Sequence, residues 1–217
     1  MKQYVSPSLL AANKSHLFEE IKTAEASGAE YIHWDIMDGK FVPNVSFKAS
    51  EVKAFSKTHK MINDVHIMVA DPKIESTLFV SCGADLVTFH IEAVESLDEA
   101  IQIIDKLHSL KCKAGISIKP ATKVDVIIPL LDKVDLVLVM SVEPGKGGQK
   151  FMPMALRKIK LLRKIIDKNR LNCLIEVDGG INDVTGKKCR KAGADILVAG
   201  SYLFGHDNFD ERVKLLR

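Results

Sequence analysis

Three stretches share one pattern: SGAEYIHWD at 27–35, CGADLVTFH at 82–90 and AGADILVAG at 192–200. Each reads small residue, glycine, alanine, acid, and then an apolar run. That order describes a helix ending at a glycine and feeding a strand, because glycine takes the left-handed conformation that closes a helix at little steric cost. Gly28, Gly83 and Gly193 lie 55 and 110 residues apart, a ratio of one to two. If 55 residues hold two units, each unit is about 27 residues, roughly a compact strand-plus-helix pair. The 217 residues of the chain then hold about eight units.

The rest of the chain fits this count. Candidate strands are QYVSPS, YIHWDI, NDVHIMV, DLVTFH, KAGISI, DLVLVMS, CLIEVD and DILVAG. Between them apolar residues recur at helical spacing: Leu17, Ile21 and Ala24; Leu97, Ile101, Ile104 and Leu107; Ile159, Leu162 and Ile166. Runs such as LVLV are apolar on both faces, as in a parallel sheet covered by helices. No Pro/Gly/Ser-rich linker divides the chain. The expected fold is α/β, a (β/α)8 barrel forming a single domain over residues 1–217, in preference to an open doubly wound sheet. Its active site is expected at the C-terminal ends of the strands.

Composition narrows the function. With 47% hydrophobic and 27% charged residues, an ordinary globular protein is expected. The net charge of +3, without a long Lys/Arg run, argues against nucleic-acid and membrane-surface partners. No stretch approaches the roughly 20 apolar residues of a membrane span. The opening MKQYVSPSLLAAN has too short an apolar run for a signal peptide. Cys82, Cys112, Cys173 and Cys189 form no C-x-x-C pair and read as small hydrophobes of a reduced, cytoplasmic chain.

Polar residues collect at the predicted strand ends: Ser8, His33, Asp35, His66, His90, Ser141, Asp178 and Ser201. In IHWDIMDGKFVPN (32–44), His33 and Asp35 stand two apart, so on a strand they face the same side. Singly, a strand-end histidine is a hydrogen-bonded structural residue, and an aspartate before Gly-Gly is a turn former. Together, His33, Asp35, His66 and Asp178 bring two imidazoles and two carboxylates to one rim. They suit one divalent cation, Zn²⁺, Fe²⁺, Mn²⁺ or Co²⁺ rather than Mg²⁺ or Ca²⁺. His90 has Thr88 two residues before it and reads as support behind the site. His16, His59, His108 and His206 read as solvated.

Glycines mark a second site. EPGKGGQKF holds Gly145, Gly147 and Gly148, DGGI holds Gly179 and Gly180, and AGS holds Gly200 beside Ser201. These follow the sixth, seventh and eighth strands, where such barrels commonly bind phosphate through backbone N–H groups. Met37, Met68 and Met140 fall at or just past strand ends, as core filler or as a dry wall of the pocket.

The motifs PSLLAAN, IHWDIMDGKFVPN, DVHIMV, FHIEA, SVEPGKGGQKF, IEVDGGI and VAGSYLFG resemble the ribulose-phosphate 3-epimerase family from Pro7 to Gly205. The resemblance implies a metal-dependent epimerase interconverting D-ribulose 5-phosphate and D-xylulose 5-phosphate through a cis-enediolate, in the pentose phosphate pathway. It implies one divalent ion per subunit, Zn²⁺ or Fe²⁺ with Mn²⁺ or Co²⁺ able to substitute, held by His33, Asp35, His66 and Asp178. Asp35 and Asp178 would be the acid–base pair. Ser8 and His66 would contact substrate, and Met37, Met68 and Met140 would line the pocket. Groups at Gly145, Lys146, Gly147, Gly148, Gly179, Gly180, Gly200 and Ser201 would hold the phosphate. A homo-oligomer, dimer or hexamer, is expected. Two positions depart from the family: Lys119 where Asn commonly precedes Pro, and Lys146 where Phe is usual. Alternatives are an epimerase of a six-carbon ketose phosphate such as D-allulose 6-phosphate, and a non-catalytic phosphate-binding barrel.

Overall fold

Strand and helix alternate throughout residues 2–217, which the computed structural model describes. The strands are β1 (Tyr4–Pro7), β2 (Tyr31–Met37), β3 (Ile62–Met68), β4 (Leu86–His90), β5 (Lys113–Ile118), β6 (Leu136–Met140), β7 (Leu174–Asp178) and β8 (Ile196–Ala199). The helices are α1 (Leu17–Ala26), α2 (Ala49–Phe55), α3 (Pro72–Ser81), α4 (Leu97–Ser109), α5 (Ala155–Asn169), α6 (Asp183–Ala192) and α7 (Phe209–Leu215). All strand pairs are parallel, in the order β1-β8-β7-β6-β5-β4-β3-β2. A parallel bridge between Ser8 and His33 joins the two ends of that order and closes the (β/α)8 barrel.

Gly28, Gly83 and Gly193 follow α1, α3 and α6 with φ of 78°, 99° and 117°. The acid of each repeat also has a physical role. Glu30 accepts the Val5 N–H (3.1 Å), Asp85 the Asn63 N–H (2.8 Å) and Asp195 the Ile175 N–H (3.0 Å). Each therefore ties the start of an even-numbered strand to the odd-numbered strand before it. Asp135 does the same for Ala114 (2.9 Å), which reveals a fourth copy of the two-unit repeat. The acids lie 55, 50 and 60 residues apart. In that fourth copy Lys133 replaces the glycine, because the preceding segment is a 3₁₀-helix, Val124–Leu130, rather than an α-helix. Pro129 lacks an N–H, and Val124, Val126, Ile127 and Ile128 are β-branched, both unfavourable to an α-helix there.

Outward strand residues such as Ile32, Trp34 and Phe89 pack under the helices as the main core. Inside the barrel, Tyr31, Leu86, Leu136, Leu138 and Ile196 belong to one apolar cluster. Other inward positions are polar: Ser6, His33, Asp64, His66, Thr88, Ser117 and Glu176 are all fully buried. Two sequence expectations shift. The α4 core face is Ala100, Ile103, Ile104 and Leu107, while Leu97 sits in the exposed first turn and Ile101 is half-buried. His59 is half-buried, and neither ring nitrogen has a partner among the described residues. Among those residues, no helix is long and apolar enough to cross a membrane.

Candidate active site

The period of two along β2 turns His33 and Asp35 inward, and the β2–β3 register sets them opposite Asp64 and His66. The Nδ1 of His33 lies 2.6 Å from Asp64 Oδ2, which also accepts the Ser6 hydroxyl at 3.1 Å. That contact places the His33 ring proton on Nδ1. Its Nε2, buried and without a hydrogen-bond partner, points toward Asp35 Oδ1 at 3.4 Å. The Nδ1 of His66 lies 3.3 Å from the same oxygen. Asp35 Oδ2 accepts the Ser8 hydroxyl at 2.7 Å. One atom from each of His33, Asp35, His66 and Asp178 falls within a mutual 4.8 Å.

This donor set fits a divalent cation. A buried imidazole nitrogen without a partner costs free energy unless something accepts its lone pair. Burial opposes an imidazolium at His33, but the carboxylates of Asp64 and Asp35 outweigh it and raise its pKa well above the ordinary value. The same negative charge of Asp64 and Asp35 attracts a cation to Nε2. Burial likewise opposes ionisation of Asp35, yet His33 and His66 hold its carboxyl below the usual range. Asp178 is pushed up to about 7 by burial and then by the negative charge of Asp35. Glu176, beneath the cluster, is raised well above the carboxylate range by burial and by Asp64.

A cavity of about 420 Å³ opens above the cluster. Asp35 and Asp178 reach its floor with Ser8, and Met37, Met68 and Met140 form apolar wall. Met37 and Met68 pack with Val42 in one cluster. His33 and His66 are fully buried behind that floor and do not line the cavity. Its far end is built by Gly145, Lys146, Gly147, Gly148, Gly179, Gly180, Gly200 and Ser201. Among the described residues, the N–H groups of Gly147, Gly148, Gly180, Gly200 and Ser201 donate to no acceptor within the chain. Gly180, at φ 60°, is needed where it stands, since a Cβ there would lie 2.5 Å from Phe151 N.

Other rim residues serve as support. Ser141 Oγ lies 2.8 and 2.7 Å from the carbonyl oxygens of Asp178 and Gly179, pinning the turn after β7. His90 is fully buried behind His66. His16, His108 and His206 are exposed, and His108 bonds Asp135 at 2.8 Å. The structure adds Asp64, Glu176 and Glu92 to these surroundings. Asp64 and Glu176 stand two residues before His66 and Asp178, so the same alternation that exposed His33 with Asp35 marks them.

A family model described as the Ribulose-phosphate 3 epimerase family matches residues 4–204. The chain is 41% identical over 210 residues to an Arabidopsis thaliana protein named ribulose-5-phosphate-3-epimerase, chloroplastic, covering 97% of this chain and 74% of that protein. It is 41% identical over 214 residues to the ribulose-phosphate 3-epimerase of Bacillus subtilis, covering 98% and 97% of the two chains. In fold it is similar to 3-keto-L-gulonate-6-phosphate decarboxylase from Vibrio cholerae, with a TM-score of 0.74, 14% identity and coverage of 100% and 96%.

Proposed function

This chain belongs to the ribulose-phosphate 3-epimerase family, an enzyme family of the isomerase class, and on that premise we propose that it epimerises D-ribulose 5-phosphate at C3 to D-xylulose 5-phosphate by two-base proton transfer. The observation that carries the reading is one shared cavity floor, which Asp35 reaches from β2 and Asp178 from β7. Inversion next to a ketone needs a proton taken from one face of a carbon and another given to the opposite face. One carboxylate takes the C3 proton, its oxygen gaining the O–H bond while the C–H electrons pass through C2 to the carbonyl oxygen. The other, as carboxylic acid, returns a proton to the opposite face. The two exchange roles when the reaction runs backward.

Without a cation, Asp35 is held ionised and Asp178 keeps a proton to about pH 7, so the environments of the pair are already unequal. A divalent ion, Zn²⁺ or Fe²⁺ first and Mn²⁺ or Co²⁺ as substitutes, would be held by His33, Asp35, His66 and Asp178 and would supply Lewis-acid stabilisation of the developing oxyanion. The Ser8 hydroxyl orients Asp35. The methionine wall keeps water from the intermediate. Free N–H groups at the glycine end grip the phosphate and set the position of C3 between the two acids.

Four free, buried cysteines support a reducing, cytoplasmic setting. Exposed Ile74 and Leu78, one turn apart on α3, support self-association. The test of function is formation of D-xylulose 5-phosphate from D-ribulose 5-phosphate by purified protein loaded with each metal in turn. Turnover of a six-carbon ketose phosphate alone, or of neither substrate, would contradict the reading.

A further inference from the structure

Behind the metal cluster, a second imidazole faces a ligand imidazole. His66 Nε2 lies 2.8 Å from His90 Nε2, and His90 Nδ1 lies 3.1 Å from Glu92 Oε2. The other Glu92 oxygen accepts the Lys119 N–H at 2.7 Å and the Thr122 hydroxyl. Lys158 on α5 fixes that turn in place, donating to the Lys119 carbonyl at 2.7 Å and the Thr122 carbonyl at 2.6 Å. The Phe41 ring packs 4.9 Å from the His90 ring, and Lys119 Nζ sits 3.9 Å over Phe41. Both histidines are fully buried.

Between two facing ring nitrogens of neutral imidazoles, a hydrogen bond uses one proton. If it sits on His90 Nε2, the bare Nδ1 of His90 faces a carboxylate, acceptor against acceptor. His66 would then carry its own proton on Nδ1, where Asp35 accepts it and no cation can coordinate. If the proton sits on His66 Nε2, His90 accepts it and donates its Nδ1–H to Glu92. The His66 Nδ1 lone pair then points into the cluster. Asp35 pulls toward the first arrangement and Glu92 toward the second.

We propose that His90 and Glu92 are positioning residues that hold His66 as the Nε2–H tautomer and so keep its Nδ1 available to a divalent cation. This rests on the metal reading of His33, Asp35, His66 and Asp178 given above. The two ligand histidines are thereby oriented by carboxylates in different ways: His33 directly by Asp64, His66 through His90 by Glu92. Removing an outer hydrogen-bond partner of a ligand histidine typically weakens metal affinity about 10–100-fold.

The test is Zn²⁺ affinity by chelator competition, with no substrate present, for the wild type, Glu92→Ala, His90→Phe and His90→Gln. The glutamine amide oxygen stands where His90 Nε2 was and can still accept from His66. Glu92→Ala and His90→Phe should bind Zn²⁺ about 10–100-fold more weakly, and His90→Gln should recover most of the loss. In Zn²⁺-loaded wild type, ¹⁵N NMR should find the His90 proton on Nδ1. Wild-type affinity in both Glu92→Ala and His90→Phe, or a His90 proton on Nε2, would overturn the inference. A wild type that binds no metal would instead strike the metal reading itself. Should His90→Phe not fold, Glu92→Ala and His90→Gln still decide the matter.

Discussion

A Cβ built on Gly145 would lie 2.7 Å from Val42 Cβ, so the loop after β6 and the loop after β2 touch at a position where no side chain fits. Asn44 fastens the same contact, its Nδ2 donating to the Gly145 carbonyl at 2.7 Å. Gly145 also stands at φ 107°, which an L side chain rarely adopts. Gly145→Ala should displace the glycine-lined end of the cavity, proposed above to hold the phosphate, while the barrel stays folded. We expect KM for D-ribulose 5-phosphate to rise roughly tenfold or more with a smaller change in kcat, since about 1.4 kcal/mol of lost binding is tenfold. Steady-state kinetics check this, and an unchanged KM would contradict it.

Lys146 lines the cavity beside free backbone N–H groups, and its side chain is exposed. On the proposed function, a cation there would attract the substrate phosphate through solvent, an interaction that salt screens. Lys146→Ala should raise KM several-fold at low salt, and KM should become less sensitive to salt than in the wild type. Equal salt slopes for the two proteins would remove Lys146 from phosphate binding.

At the opposite end of the barrel, Asp195 is almost fully buried, accepts the Ile175 N–H and pairs with Arg163. Asp195→Ala leaves the Ile175 N–H buried without its acceptor and takes one partner from Arg163, whose guanidinium keeps the Gly193 carbonyl and Asp167. A loss of about 1–3 kcal/mol in unfolding free energy is expected from a buried donor left unsatisfied. KM of the folded fraction should not change. Denaturant unfolding and kinetics on one preparation test both halves.

Glu92 sets a pH dependence. Burial raises its carboxyl, but hydrogen bonds from His90, Thr122 and the Lys119 N–H outweigh this and hold it at about 2, below its ordinary 4.5. A depressed carboxylate contributes stability that is present above 4.5 and is lost as pH falls toward 2. Glu92→Gln resembles the protonated form. In metal-free protein the variant should be less stable than the wild type at neutral pH, and the gap should close as pH drops below 4.5. Urea midpoints across that range measure it; a constant gap would contradict the assignment.

The barrel was legible because Gly28, Gly83 and Gly193 close helices at positive φ, a local requirement that leaves a residue-type signature. The fourth copy was not, since Lys133 replaces the glycine and only Asp135, bonded to a strand start 21 residues away, betrays it. The shared place of Asp35 and Asp178 at the cavity was legible because a carboxylate at the end of an apolar strand has no packing reason to be there. Asp64 and Glu176 obey the same alternation, but they lie inside the barrel below its rim, where no strand end or following loop marks them. Glu92 follows His90 by only two residues, but the contacts that hold its carboxylate in place, from the Lys119 N–H and the Thr122 hydroxyl about 30 residues on, exist only after the barrel closes. The shifted face of α4 shows the limit of periodicity near a helix end, where Leu97 meets solvent.

The most direct test is to incubate metal-loaded protein with D-ribulose 5-phosphate in D₂O and follow C3 by NMR. Two-base transfer between Asp35 and Asp178 predicts D-xylulose 5-phosphate carrying deuterium at C3, and Asp178→Asn should lower the rate by about 10²–10⁴-fold while keeping the fold. Product without deuterium at C3, or near-normal turnover by Asp178→Asn, would contradict the account.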